Sequence, residues 1–370
     1  MVNPFTPTFG VTPPLLVGRD AQINAFRRAL ANGPGDPARA TLLTGARGTG
    51  KTVLLNALED IARQAGWAVV SESARPGLVD ALTKTTLPEL LAANGADAAT
   101  SRVSGVSASV LGVGGSVSRQ VQEQYPVEPS FRSELTRLAL CVERRGAGVF
   151  LSIDEVHKAE QAELRTFFHT IQHAFREGLP VAVAAAGSPS AVSSILSDDV
   201  LTFLRRAVRW PLGDVADALV ATAIREPIIA AGRTITDDAL GLAVKTIQGY
   251  PFMIQVVGFE LWGVEPARDV IDDGQAKTAV VRAIEQANRL VHEPMLADLS
   301  PVDRRFLAAM AEEESEPTPI AAVAKRMGVS TGYANKYRAR LIAAEAIEPA
   351  GRGRIQFAVP FLREYLQKCR

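Results

Sequence analysis

The stretch Ala40-Thr41-Leu42-Leu43-Thr44-Gly45-Ala46-Arg47-Gly48-Thr49-Gly50-Lys51-Thr52-Val53-Leu54-Leu55 decides the fold. An apolar run too short for a helix leads into a glycine-spaced segment, and helix-forming residues follow. Glycines let successive backbone N–H groups turn inward around phosphate oxygens, and a helix starting near Lys51 adds its positive dipole end. At this spacing Lys51 reaches the terminal phosphates and the Thr52 hydroxyl is placed to ligate Mg²⁺. Gly45 to Val53 therefore read as a phosphate-binding loop between strand and helix; the alternative is a plain glycine-rich turn.

A second apolar run, Val149-Phe150-Leu151-Ser152-Ile153, ends at Asp154-Glu155. Beside a phosphate loop, an acidic residue at such a strand end orders the Mg²⁺ shell, and a neighbouring Glu can polarise the attacking water. Further strands are expected at 67–71, at 180–186 and near 207–210, alternating with helices near 78–91, 134–145 and 161–177. This alternation predicts a doubly wound α/β domain over 17–212. Ser188, after the Ala-rich strand, is a candidate sensor of the γ-phosphate or equally a helix N-cap. Arg205 and Arg206 are candidates for stabilising transition-state charge, or for ordinary surface pairing. The segment 92–129 is poor in charge and rich in Gly, Ser, Ala and Val, which fits either an inserted hairpin or a flexible linker.

Residues 1–16 carry Pro4, Pro7, Pro13 and Pro14, too many for a helix, and read as an extended arm or disordered tail. From 213 to 298 the pattern is helical throughout, predicting a separate lid domain with helices at 215–231, 237–248, 252–262 and 275–296. His169 and His173 stand four apart on a helix, but no third ligand is spaced to join them.

The chain has 370 residues, 47% hydrophobic and 22% charged, with 40 basic against 40 acidic side chains. That balance gives no general argument for nucleic acid or membrane, so any basic surface has to be local. Cys141 and Cys369 are far apart and read as free thiols. With no signal-peptide pattern and no membrane-length apolar run, a cytoplasmic location is expected.

Residues 299–370 change character. Ser300-Pro301 reads as an N-cap with Pro at the first helical position, Thr318-Pro319 as the opening of a second helix, and Gly328-Val329-Ser330-Thr331 as a turn before a third over 333–344. A hairpin tipped by Gly351-Arg352-Gly353-Arg354 completes a winged-helix layout. From 300 to 370 there are twelve Lys/Arg and eight Asp/Glu. In a duplex DNA complex the third helix would present Thr331, Tyr333, Asn335, Lys336, Arg338 and Arg340 to the major groove, and Arg352 and Arg354 would meet phosphates. The other use of such a module is protein packing or autoinhibition.

Val17-Gly18-Arg19-Asp20, Gly45 to Thr52, Leu151-Ser152-Ile153-Asp154-Glu155, the strand ending at Gly187-Ser188 and the lid motif Gly249-Tyr250-Pro251-Phe252 together resemble the AAA+/STAND-type P-loop ATPases. The resemblance covers about residues 15–300 and is closest to the archaeal-type and initiator (origin-recognition) branch, whose members end in a winged helix. It implies ATP/ADP and Mg²⁺ as cofactors, adenine near Val17, Gly18 and Arg19, phosphates on Gly48, Thr49, Gly50 and Lys51, Mg²⁺ on Thr52 and Asp154, Glu155 as base and Ser188 as first sensor. Initiator-type members carry a lid arginine where this chain has Gly249-Tyr250-Pro251, similar to the Gly-x-Pro of STAND signalling ATPases, in which the Pro packs near adenine. The resemblance therefore implies a slow switch acting on duplex DNA, as a homo-oligomer in the ATP state, or a signalling scaffold with a protein partner.

Overall fold

The structure is a computed structural model and describes residues 2–8, 10–95 and 129–368. Its centre is a parallel sheet of β1 (Ala40–Thr44), β2 (Ala68–Ser73), β3 (Val149–Asp154), β4 (Val181–Gly187) and β5 (Val208–Pro211), in the order β2-β3-β4-β1-β5. All seven residues of β4 are buried. A middle strand covered on both faces has no need of apolar/polar alternation, which is why its sequence is a run of Ala and Val. Because every strand runs the same way, the loop after β1, Asp154 after β3 and Gly187 after β4 emerge at one edge.

Around the sheet lie α1 (Asp20–Asn32), α2 (Lys51–Gln64), α3 (Leu78–Ala81), α4 (Leu87–Ala93), α5 (Phe131–Glu143), α6 (Gln161–Arg176) and α7 (Pro189–Ser197). The helix expected near 78–91 is two pieces joined by a π turn, Leu82–Thr86. Helix α5 starts earlier than the expected 134, at Phe131, which is buried with Leu135, Leu138 and Val142, and Ser130 and Ser133 close its start with a reciprocal capping box. Of the 92–129 segment, only 92–95 and 129 are described, so the hairpin and linker readings fall outside the described residues.

The lid comprises α8 (Asp217–Ala230), α9 (Asp237–Ile247), α10 (Pro251–Gly263) and α11 (Asp273–Ala287). Two features correct the sequence reading. Short β-branched pairs at loop ends form strands, β6 (Thr234–Ile235) beside β7 (Val270–Ile271), so this region is not purely helical. The expected helix over 275–296 is interrupted by a π turn, Asn288–His292, before α12 (Glu293–Ala297), where Pro294 brings no N–H to the helical ladder. The N-terminal arm is no free tail either. Phe5 is buried in the lid core, its ring so close to Gly258 that a Cβ there would lie 2.3 Å from it.

The C-terminal module runs α13 (Pro301–Ala311), β8 (Thr318–Pro319), α14 (Ile320–Met327), α15 (Thr331–Ala343), β9 (Ile347–Pro349), β10 (Arg354–Phe357) and α16 (Leu362–Lys368). Thr318-Pro319 forms an edge strand in the order β8-β10-β9 and leads directly into α14, with Pro319 at its N-cap, as the sequence reading has it. An edge position suits a proline, which has no N–H for a further neighbour. Helix α16 leaves no clear periodic signal in so short a terminal segment.

His292 fastens the lid exit to this module. Its Nδ1 lies 2.8 Å from Asn288 Oδ1, its Nε2 2.9 Å from the Pro360 carbonyl oxygen, and its ring packs on Tyr365. Burial holds its pKa below the ordinary histidine value, opposed by the Pro360 carbonyl and by Glu364. With the folded pKa depressed, the unfolded chain takes up the proton first, so stability falls on the acid side of about pH 6.5 and levels off once the folded ring is also protonated. His292→Gln is expected to lose this component. Thermal unfolding of both proteins across that range checks it: parallel pH profiles would contradict the assignment.

Candidate nucleotide-binding site

The loop between β1 and α2 is shaped by glycines in the left-handed region, Gly48 at φ 79° and Gly50 at φ 89°. Thr49 Oγ1 donates to the Ala46 carbonyl at 2.8 Å, closing the loop on itself. Lys51 Nζ folds back to donate to the carbonyls of Gly45 (2.7 Å) and Ala46 (2.9 Å). Burial holds the Lys51 pKa below the ordinary lysine value; the carboxylate that most opposes this is Glu345, followed by Asp154 and Glu155.

Across the crevice, the Thr52 hydroxyl donates to Asp154 Oδ2 at 2.5 Å and the Glu155 N–H to Asp154 Oδ1 at 2.8 Å. Thr52 and Asp154 thus bring a hydroxyl and a carboxylate oxygen together, hard donors of the type Mg²⁺ takes. Glu155 sits at φ 52°, an unusual conformation for a side chain of its size, and its carboxylate pairs with Lys158.

The lid reaches the loop through Tyr250. Its buried hydroxyl donates to the Arg47 carbonyl at 2.9 Å, and burial pushes its pKa up, so it remains a donor. A Cβ on Gly48 would lie 2.1 Å from that hydroxyl oxygen, so only glycine fits beneath it. The preceding Gly249 accepts from the Val215 N–H at 2.8 Å, and a Cβ there would lie 2.8 Å from the Val215 carbonyl. The lid motif is therefore wedged between the phosphate loop and the chain that leaves the sheet.

These elements enclose a cavity of about 670 Å³. Val17, Arg19, Gly48, Thr49, Gly50, Lys51, Thr52, Val53, Asp154, Glu155 and Pro251 all line it. Gly18 and Gly45 are not part of that wall: a Cβ on Gly18 would lie 3.6 Å from Leu219 and 3.7 Å from Val215, and one on Gly45 would meet Thr49 Oγ1 at 2.4 Å. Although Arg19 borders the cavity, its buried guanidinium donates to the carbonyls of Gly18, Thr49 and Gly213, bracing the loop against the lid linker. Ser188 is buried and its Oγ accepts the Ala191 N–H at 3.2 Å, an N-cap geometry for α7. Arg205 and Arg206 are exposed and away from the cavity wall, Arg205 donating to the Leu196 carbonyl.

On α15, Tyr333, Asn335 and Lys336 are exposed, with Tyr333 hydrogen-bonded to Tyr337 at 3.0 Å. Arg340 pairs with the buried carboxylate of Asp303 and lies over Tyr337, and Arg338 is half-buried. In the hairpin both Arg352 and Arg354 are exposed, Arg354 donating to the Pro317 carbonyl. Among the described residues no group of three or more His, Cys, Asp or Glu is placed to hold a metal, and His169 packs on Phe203.

Among the cavity-wall residues that carry no individual site assignment from the sequence are Tyr250, Thr6 of the arm, and Glu345 just beyond α15. Phe5, a large apolar residue among prolines, hints at the arm. Nothing local in the sequence places Glu345 opposite a loop about 300 residues earlier.

Residues 15–184 match the family model described as AAA ATPase domain, and residues 289–366 match one described as a domain of unknown function. Among solved structures, a Walker-type ATPase of Pyrococcus abyssi has a TM-score of 0.65 at 16% identity, covering 95% of this chain and 96% of that one. Cdc6p from Pyrobaculum aerophilum has a TM-score of 0.48 at 17% identity, covering 98% and 96%. The RuvB Holliday junction branch migration motor of Thermotoga maritima has a TM-score of 0.46 at 17% identity, covering 95% of each chain. No curated protein matches the chain. No helix among the described residues is long and apolar enough to cross a membrane. A glycine-spaced loop after β1, an acidic pair at the end of β3 and the family match over the same residues agree: residues 15–184 match the AAA ATPase domain model, and the chain has the AAA+ P-loop fold.

Proposed function

We propose that the protein is an ATP-binding, slowly hydrolysing switch of the AAA+/STAND type whose C-terminal module, a winged helix, is the output and takes duplex DNA. The observation that carries the switch is the shared cavity: its wall is built by the phosphate loop, the lid and residues 343–345 at the end of α15. The triphosphate and the end of α15 therefore compete for one place.

The residues present fit ATP with Mg²⁺. Thr52 and Asp154 would hold the ion, which when bound supplies positive charge to the phosphate oxygens. Lys51 neutralises the terminal phosphates, the loop N–H groups orient them, and Glu155, once released from Lys158, accepts the proton of the attacking water. The lid brings no arginine from its Gly249-Tyr250-Pro251 turn, which favours slow turnover. An arginine from a neighbouring copy, Arg205 or Arg206, would complete the charge, and both side chains are exposed for it.

Exposed Tyr333, Asn335, Lys336 and Arg352 support DNA as the ligand of the output. Fluorescence anisotropy with duplex DNA in ATP, in ADP and without nucleotide tests it. Binding is expected to be at least about tenfold tighter in ATP and to weaken steeply with salt; replacing Lys336 and Arg352 with Ala should lower affinity across sequences. Affinity indifferent to salt or to nucleotide would remove DNA from the reading.

One observation favours a second reading, a scaffold ATPase with a protein partner. Several basic side chains of the module are engaged within it: Arg326 with Glu312 and Glu313, Arg340 with Asp303, Arg363 with Glu316. A change of oligomer size with nucleotide, without DNA affinity, would select it.

A further inference from the structure

Two peptides of the phosphate loop are easy to turn. Gly48 and Gly50 both stand at positive φ, and glycine takes either sign of φ at little cost, so the peptide in front of each can rotate. A trans peptide carries its C=O and its N–H on opposite sides. Whatever holds the Arg47 carbonyl therefore sets the direction of the Gly48 N–H, and whatever holds the Thr49 carbonyl sets that of the Gly50 N–H.

Neither of these carbonyls is held from within the loop. Those of Gly45 and Ala46 are taken by Lys51 and Thr49, inside the motif itself. The Thr49 carbonyl instead accepts Arg19 Nη2 at 3.2 Å, and the same nitrogen donates at 2.9 Å to Gly213 in the linker that leads to the lid. The Arg47 carbonyl accepts the hydroxyl of Tyr250, a lid residue only 3% exposed, at 2.9 Å. A carbonyl oxygen can only accept, so the tyrosine is the donor and the peptide is held with its oxygen toward the lid. The Gly48 N–H is thereby turned the other way, and no described residue accepts from it.

We infer that Tyr250 is a positioning residue for phosphate binding. It acts through the Arg47–Gly48 peptide: with the lid seated, the Gly48 N–H is set as a phosphate donor, and a lid that lifts away releases the peptide and loses that donor. The coupling is reciprocal, so phosphate held by Gly48 draws the lid down in turn. This inference deepens the proposed switch and rests on its ATP-binding reading, because it names the contact through which loop and lid sense each other.

Tyr250→Phe keeps the buried ring and removes only the hydroxyl. In calorimetric titration of the full chain, the variant is expected to bind ATP about tenfold more weakly than wild type. Adenosine, which carries no phosphate, should bind within about twofold of wild type, a result that also shows the variant folded and its site intact. A role confined to lid packing would weaken both ligands alike. Equal losses on ATP and adenosine, or no loss with ATP, would overturn the positioning role while leaving the ATP site standing. A wild-type protein that bound neither ligand would overturn both.

Discussion

Glu155→Gln is expected to slow ATP hydrolysis by about 10²- to 10³-fold while leaving ATP affinity within about twofold of wild type. The asymmetry follows from placement. On the proposed reading Lys51, Thr52 and the loop amides make the ground-state contacts with phosphate, and in the structure Lys51 and Thr52 hydrogen-bond to the Gly45 carbonyl and to Asp154, not to the Glu155 carboxylate. Asp154 takes the Glu155 backbone N–H rather than its side chain, so the amide variant keeps the strand end intact. What it loses is the capacity to accept a proton from water, which matters only as the transition state forms. Phosphate release measured beside equilibrium ATP binding separates the two effects. A variant with unchanged turnover would place the base elsewhere, and one that lost both would show Glu155 to be structural.

The same carboxylate shows how far sequence could go. That Asp154-Glu155 ends a buried strand near the phosphate loop was legible, because five short apolar runs alternating with helices and one glycine-spaced loop fix a parallel sheet with its strand ends at one edge. That Glu155 adopts φ 52° and pairs with Lys158 was not, since both depend on how the chain turns after β3. Ser188 illustrates a limit of another kind: the N-cap and the sensor need the same residue at the same strand end, and sequence kept both open. Arg19 marks a further one. A motif supplied its neighbourhood, yet its guanidinium faces the carbonyls of Thr49 in the loop and Gly213 in the linker besides that of adjacent Gly18, a role set by tertiary packing. The π turns at 82–86 and 288–292 leave almost no pattern, because an extra residue in a turn shifts the apolar repeat without breaking it.

The least legible part of the site was the approach of the C-terminal module, and the second large effect is expected there. Helix α15 ends at Ala343, and two residues later Glu345 adopts φ 56°. This is the position and conformation in which helices ordinarily use glycine or asparagine. A glutamate there carries a backbone cost of about 1 kcal/mol, which a stabilising interaction of its carboxylate would offset. Glu345 lines the same cavity as half-buried Lys51 and is the carboxylate that most opposes the lowering of the Lys51 pKa by burial. On the proposed reading a carboxylate there and a phosphate on Lys51 would repel one another, so ATP would bind only the fraction of molecules in which the module has moved away. Glu345→Gln and Glu345→Gly are each expected to tighten ATP binding about tenfold, the glycine variant without loss of thermal stability because it also relieves the left-handed backbone. Glu314→Gln, which removes the same charge from an exposed site of the module, should leave affinity within about twofold. Titration of ATP into the three variants decides the matter: if Glu345→Gln bound ATP no better than Glu314→Gln, the carboxylate would be a bystander, and the module would compete with nucleotide through shape alone.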